Sequence, residues 1–381
     1  MHQLKDFTYR IVAGANIATI GLMLLVGYSD RVDPSAHPYA AVVGLAFPVF
    51  LLLNAAFLVF WLCTRKRWSL IALVGFVAAY GPVSLYWPMS VGRDAPDGAI
   101  KVLSYNVFNF HGWDKDHPDS EILDYIMRQD ADIVCLQEAD APGDWKQRQL
   151  DSLFAARYPY RDVTRHDSTK GDAIMLLSKF PIVSHEPVAF ASRNNHSEAY
   201  RLAMGRDTVL FVANHLESTL LSPDIRQKFK TMVKGEMDRD SMKEESELLL
   251  TKLATACQRR APQARAVAEY VERHRGMPVI LCGDFNDSPI SYTRRTIAAP
   301  LVDCYAEAGN GPGISYHYNG FYVRIDNIMC SAHFTPYRCT VDRTISASDH
   351  YPIYCWLKLK APSGGVKNKA PSGSPAGGEG E

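Results

Sequence analysis

Acid, amide and imidazole side chains recur at one kind of place in this sequence, the edges of short β-rich runs. Asn106 follows Ile100–Tyr105, Glu138 closes the stretch begun by Ile133–Leu136, and His215 follows Thr208–Ala213. Asp284 and Asn286 follow Pro278–Cys282, Asp326 lies in the run Ile325–Cys330, and Asp349-His350 precede Tyr354–Leu359. Carboxylates with an amide oxygen suit Mg²⁺ or Mn²⁺, which prefer oxygen ligands. Zinc would call for a tighter His/Cys group, and neither C-x-x-C nor H-E-x-x-H occurs. Two histidines and a non-ligand Asp are then left for acid–base work. That inventory fits phosphoester hydrolysis: a cation neutralises charge on phosphate, a base activates water, and amide and imidazole donors hold the phosphoryl oxygens. Each residue alone says little, since a Glu after a strand is usually a surface residue and Asp349-His350 before Pro352 can simply open a turn. The ordered set carries the reading.

Such side chains need elements that bring several strand ends together. The β-rich runs, with Ala173–Leu177 ending at Ser178, alternate in places with helical patterns at Ser120–Gln129 and Glu244–Arg275. Strands alternating with helices indicate a layered α/β domain over residues 100–360. The mixed charges of Phe229–Arg275 read as a solvated face, and Pro262 is expected to break or restart its helix. Cys135, Cys282, Cys330 and Cys355 fall in or beside core strands, where a thiol behaves as a small hydrophobe. Spacing fixes no disulfide.

Seven segments appear in an order that resembles the endonuclease/exonuclease/phosphatase superfamily. They are S-Y-N-V (Ser104–Val107), C-L-Q-E (Cys135–Glu138), S-K-F-P (Ser178–Pro181), A-N-H-L (Ala213–Leu216), G-D-F-N (Gly283–Asn286), R-I-D-N-I (Arg324–Ile328) and S-D-H-Y-P (Ser348–Pro352). Together they cover nearly all of 100–360, and G-D-F-N followed by S-D-H is the most specific pair. The resemblance implies a four-layer α/β sandwich, two packed β-sheets flanked by helices. It implies Glu138 as principal metal ligand, with Asn106 and Asp349 in or next to the metal shell. Asp284 is similar to the residue that orients or deprotonates the attacking water, and Asn286, with Asn106 beside it, to the phosphate-binding amide. His350 resembles the histidine that acts on the phosphate, Asp326 its orienting carboxylate, and His215 the second histidine of the deoxyribonuclease and sphingomyelinase branches. The abasic-site branch uses a tyrosine before the strand ending at Ser178, and Arg161–Gly171 contains none. Glu217–Arg275 is longer than a minimal member needs; it is either a structural insertion or a shaper of substrate access.

The first 90 residues have a different character. Three runs without Asp, Glu, Lys or Arg, about 11–28, 39–63 and 70–87, are each near or above the length that crosses a bilayer. A cleaved signal peptide is a poorer account of the first run, because no small-x-small cleavage site follows and two further runs do. Arg65, Lys66 and Arg67 fill a very short turn between the second and third runs, with Lys5 and Arg10 near the N-terminus. Cations stay inside, so three spans would leave everything after Trp87 extracytoplasmic. Asn54 and Pro48 read as packing details of the second span. Residues 91–99 read as a linker and 361–381, rich in Gly, Pro, Ser and Ala, as a disordered tail.

Lys and Arg total 41 against 41 Asp and Glu, and 47% of the residues are hydrophobic, which excludes wholesale disorder and gives no support to a bulk polyanion binder. The expected function is an integral membrane, Mg²⁺- or Mn²⁺-dependent phosphodiesterase. Its substrate would be a nucleic acid or a phospholipid headgroup, and no obligate protein partner is inferred. The alternative is a catalytically silent membrane receptor or scaffold that keeps the fold.

Overall fold

A computed structural model describes residues 2–141, 143–166, 172–219 and 221–360. The expected tail at 361–381 lies outside the described residues. The chain begins with α1 (His2–Gly27), α2 (Pro38–Val42), α3 (Phe47–Thr64), α4 (Ser69–Ala78) and α5 (Tyr80–Tyr86). The stretches Gln3–Arg31 and Pro38–Thr64 are each long and apolar enough to cross a membrane. The third expected span is not one straight helix: the chain bends by 72° between α4 and α5. Pro82 explains the bend. It has no N–H to give to the carbonyl of Ala78 four residues back, and that carbonyl accepts from the Tyr28 hydroxyl instead, at 3.1 Å. A buried polar chain ties α1, α3 and α4 together. Trp61 Nε1 donates to Asn16 Oδ1 (3.1 Å), Asn16 Nδ2 to Asn54 Oδ1 (3.1 Å), and Asn54 Nδ2 to the carbonyl of Ala72 (3.1 Å). Asn54 is therefore a packing residue, as interhelical amides in apolar bundles are.

Among the described residues twelve strands follow, with helices between them. They run β1 (Ile100–Asn106), α6 (Glu121–Gln129), β2 (Ile133–Gln137), α7 (Asp144–Phe154), β3 (Tyr160–Arg165), β4 (Ala173–Ser178), β5 (Ile182–Pro187), β6 (Ser197–Met204) and β7 (Asp207–His215). Then come α8 (Pro223–Val233), α9 (Arg239–Arg273), β8 (Val279–Asp284), α10 (Tyr292–Ala298), β9 (Val302–Asp303), α11 (Cys304–Ala308), β10 (Asp326–Cys330), β11 (Phe334–Val341) and β12 (Ile353–Leu359). They form two six-stranded sheets, ordered β11-β12-β1-β2-β4-β3 and β5-β6-β7-β8-β10-β9. β1–β2 and β7–β8 are parallel pairs near the centres, and the other paired strands are antiparallel.

The central strands are apolar on both faces, and alternation sorts each face into a different layer. Val102, Ile133, Cys135, Phe211, Ala213, Ile280 and Cys282 meet between the sheets. Leu103, Tyr105, Val134 and Leu136 face α6 and α7, and Leu210, Val212 and Leu281 face α9 and α10. The result is the four-layer α/β sandwich that the resemblance implied. All eight cysteines are free.

Two local findings concern helices. α6 starts where Ser120 caps it, its hydroxyl accepting from the Leu123 N–H at 3.4 Å. α9 continues through Pro262, contrary to the expected break. Pro262 itself is exposed, while Ala261, Ala264, Val267 and Val271 on the opposite face are buried against the second sheet. That packing holds the helix together through the proline.

The sandwich also makes direct contacts with the N-terminal helical segment. Arg265 reaches Asp33 at 3.1 Å, and Gln258 donates to the carbonyl of Ser35 at 3.4 Å. Arg324 donates to the carbonyl of Leu85 at 2.5 Å, and Gly311 N–H to the carbonyl of Pro88 at 2.9 Å. The segment between α1 and α3 and the end of α5 thus both dock on the sandwich.

Candidate active site

The parallel pairs β1–β2 and β7–β8 end at one edge of the sandwich, and the sequence-derived residues lie there. Two of them depend on left-handed backbone. Glu138 (φ 49°) and Asn286 (φ 53°) leave their strands through that sparsely populated region, which turns the chain back over the cleft. Gly283 (φ 138°) is obligatory in G-D-F-N, because a Cβ would collide with the Asn214 backbone on the paired strand.

Asp284 Oδ2 is the meeting point. It accepts from Asn106 Nδ2 at 3.3 Å and lies 3.7 Å from His215 Nε2 and 3.8 Å from His350 Nε2. Asn106 Nδ2 also donates to Glu138 Oε1 at 3.0 Å, and His215 Nε2 lies 4.0 Å from that same oxygen. His350 Nδ1 lies 2.8 Å from Asp326 Oδ2, so Asp326 fixes the ring and leaves Nε2 facing Asp284. Asp326 stands opposite Asp284 in the antiparallel β8–β10 register. Asp349 and His350 line the pocket with Glu138, Asp284 and Asn286. The Asn286 amide N–H group is turned inward, to the carbonyl of Leu216 (3.0 Å) and to Asp284 (3.3 Å).

The electrostatics follow from burial and crowding. Desolvation, reinforced by the nearby Asp326 carboxylate, raises the pKa of Asp284. Burial disfavours the charged form of both histidines, but their carboxylate neighbours outweigh it. His215 is pushed up to about 9, mainly by Asp172, and His350 to about 10, mainly by Asp326 and Asp284. Asp326 Oδ1 and His215 Nε2 are buried without a hydrogen-bond partner among the described residues. Crowded carboxylates and orphaned ligating atoms are what a divalent cation would satisfy. Of the implied set, Glu138 and Asp349 offer carboxylate oxygens to the same pocket, whereas Asn106 turns its Nδ2 to Glu138 and Asp284 and its Oδ1 accepts from the Phe108 N–H at 3.1 Å. A second grouping fits as well: ligating atoms of Asp284, Asp326 and His350 all lie within 4.8 Å of one another.

Several residues were not found from the sequence. Asp172 holds His215 Nδ1 through a short contact, and its other oxygen accepts from the Glu138 N–H at 3.1 Å. It sits at the start of β4, and β4 is antiparallel to β2, so that start lies at the active edge. The signal was available in the polar residue just before Ala173. Ser348 Oγ donates to the carbonyl of Asn106 at 2.7 Å and accepts from the His350 N–H at 3.2 Å, tying the S-D-H loop to β1. Tyr316 packs edge-on against His350 at 5.0 Å between ring centroids. From the long 217–275 segment, Arg226 and Arg260 reach the pocket wall. Arg260 is committed to Asp287 (3.2 Å) and to the carbonyl of Glu217 (3.0 Å). Arg226 sits over the rings of Tyr316 and Tyr318, and its buried Nε has no hydrogen-bond partner among the described residues.

A four-layer sandwich with this edge cluster defines a phosphoesterase-type hydrolase fold. Residues 103–350 match the endonuclease/exonuclease/phosphatase family, and the chain belongs to it. Residues 9–86 match a separate family described as a domain of unknown function (DUF8431). No curated protein matches the chain in sequence. Among solved structures it is similar to a humanised D. rerio TDP2 (16% identity, TM-score 0.48, covering 68% of this chain and 99% of that one). It is also similar to the human Nocturnin catalytic domain (16%, 0.47, 71% and 97%). A third is a mannosyl-6-phosphatase from Bacteroides thetaiotaomicron (19%, 0.43, 68% and 100%).

Proposed function

We propose that this protein is a membrane-anchored, divalent-cation-dependent phosphodiesterase with its catalytic domain on the extracytoplasmic side. The carrying observation is the convergence of Glu138, Asn106, His215 and His350 on Asp284 at a single sheet edge. A cation held by Glu138 and Asp349 would supply charge neutralisation at the phosphoryl oxygens. Asp284 orients the attacking water and draws off its proton. His350, fixed by Asp326, and His215, fixed by Asp172, donate from Nε2 to oxygens whose negative charge grows in the transition state. Arg226, with no ion pair among the described residues, supplies a cation for the substrate's anionic group. The apolar helices and the cationic turn at Arg65–Arg67 support the anchor and its orientation.

The substrate is a phosphodiester, in a nucleic acid or a phospholipid. The test is hydrolysis by the full chain in Mg²⁺ of plasmid DNA, RNA, sphingomyelin and bis(p-nitrophenyl) phosphate. EDTA should abolish activity, Mg²⁺ or Mn²⁺ should restore it, and Glu138→Gln should remove nearly all of it with the thermal transition retained. Full activity in EDTA would refute the metal assignment. Inactivity on every substrate would favour the silent scaffold.

A further inference from the structure

One wall of the catalytic pocket is foreign to the sandwich. Ala41 and Val42 of α2 and Leu45 just beyond it line the same cavity as Asp284 and His350. They are held there by packing: Ala41 and Val42 form one buried cluster with Leu253, Ala254 and Cys257 of α9. Gly44 fixes the approach, because a Cβ there would strike the carbonyl of Ile290.

A second cavity adjoins this wall. Val42, Leu45, Leu253, Phe321 and Val323 also line it, a space of about 560 Å³, with Leu249 and Leu250 of α9 further out. At its far end, Pro48 and Tyr86 are shared with a third recess of about 800 Å³ between α3, α4 and α5. No Asp, Glu, Lys or Arg is among the residues lining the second or third recess. The first holds Glu138, Asp284, Asp287, Asp349, Arg226 and Arg260. The shared residues set the three recesses side by side, from the one that holds His350 to the one among the helices long and apolar enough to cross a membrane, with charged side chains lining the first.

We propose that these adjoining recesses hold the hydrocarbon tail of the substrate, so that the enzyme acts on a phosphoester lipid whose headgroup reaches Asp284 and His350 while its chain lies along Leu45, Leu249, Leu250 and Phe321. The inference rests on the phosphodiesterase reading and deepens it. A polynucleotide would need cations along its path to meet successive phosphates, and the recesses offer none beyond Arg226 and Arg260, the latter already paired with Asp287. An apolar chain gains free energy with each methylene it buries, and this lining can bury several.

The test uses the full chain in lipid nanodiscs with Mg²⁺ and two chromogenic diesters that differ only in chain, p-nitrophenyl hexadecyl phosphate and p-nitrophenyl ethyl phosphate. The wild type should favour the hexadecyl ester in kcat/KM. Leu250→Trp and Leu45→Trp, at positions 46% and 41% exposed and so able to accept an indole, should each lower the hexadecyl-to-ethyl ratio about tenfold or more. A ratio unmoved by both variants would show that chain preference comes from partitioning into the disc, and would overturn the proposal. So would faster cleavage of a single-stranded oligonucleotide than of the hexadecyl ester. Hydrolysis of neither ester by the wild type would defeat the phosphodiesterase reading, and ethyl turnover without chain preference would defeat this inference alone. Should both variants misfold, a hexadecyl phosphodiester with a mid-chain diazirine decides the matter in the wild type. Labelling at Leu249–Leu253 and Phe321–Val323 supports the proposal, and labelling confined to the outer faces of α1 and α3 overturns it.

Discussion

Asp284 Oδ2 is crowded by two imidazole nitrogens and an amide, and each of those partners is held in place by something else. Asp326 and His350 therefore act as one unit. Asp326→Asn and His350→Ala should each lower kcat, by about 10²–10⁴-fold for a general acid–base group. The double variant should be far less than multiplicatively worse, and independent, multiplicative losses would refute the pairing. Asp172 positions His215 in the same way, so Asp172→Asn should lower kcat more than it changes KM. The histidines also make a prediction about stability. Both bind a proton more tightly in the fold than at the ordinary value of 6.5, to about 9 for His215 and about 10 for His350. Their contribution is complete below about pH 6.5 and disappears as pH rises through the folded values. In EDTA, thermal stability should decline across that window, and the decline should flatten in a His215→Gln/His350→Gln double variant. An equal slope in the double variant would remove these groups from the account.

At the scale of elements, α9 is held by its buried face rather than by its sequence propensity. Pro262 is exposed in the interior of that helix. Pro262→Ala restores an N–H at a position with room for it and should stabilise the protein by up to about 3 kcal/mol, read as a higher thermal midpoint; no gain would mean that the helix has adapted to the ring. The same contest explains what was legible beforehand. Central strands such as Ile133–Gln137 and Val279–Asp284 are apolar on both faces and stand out in the sequence. β3 and β5 are edge strands with exposed polar residues, Y-R-D-V-T-R and I-V-S-H-E-P, and carry no such pattern. The residues at the C-terminal ends of strands were found because motifs mark them. Asp172 was missed because its place at the active edge depends on the antiparallel pairing of β4 with β2, which no local pattern announces. The bend at Ala79 likewise depends on which neighbour takes over the Ala78 carbonyl, and Tyr28 lies 50 residues away.

At the scale of the whole molecule, the ends of the apolar helices sort onto two sides. Asp6 pairs with Arg65, and Tyr9 packs on Trp61 at 6.2 Å, which groups the N-terminus with the cationic turn. Ser29–Ala46 and the end of α5 group with the sandwich. A reporter active only outside the cytoplasm, fused after residue 360, should therefore give a strong signal. Neutralising Arg65, Lys66 and Arg67 together should weaken or scramble it. A cytoplasmic reporter signal from the unaltered chain would instead show that one of the apolar stretches does not cross.

Because Ala41, Val42 and Leu45 complete the pocket that holds His350, the N-terminal segment is not an interchangeable appendage. Exchanging the first 90 residues for an unrelated set of apolar helices would lose that wall. A substitution on α9 that reshapes its contact with α2 is felt by a helix more than 200 residues earlier in the chain, so the shape of the pocket is a property of both segments together.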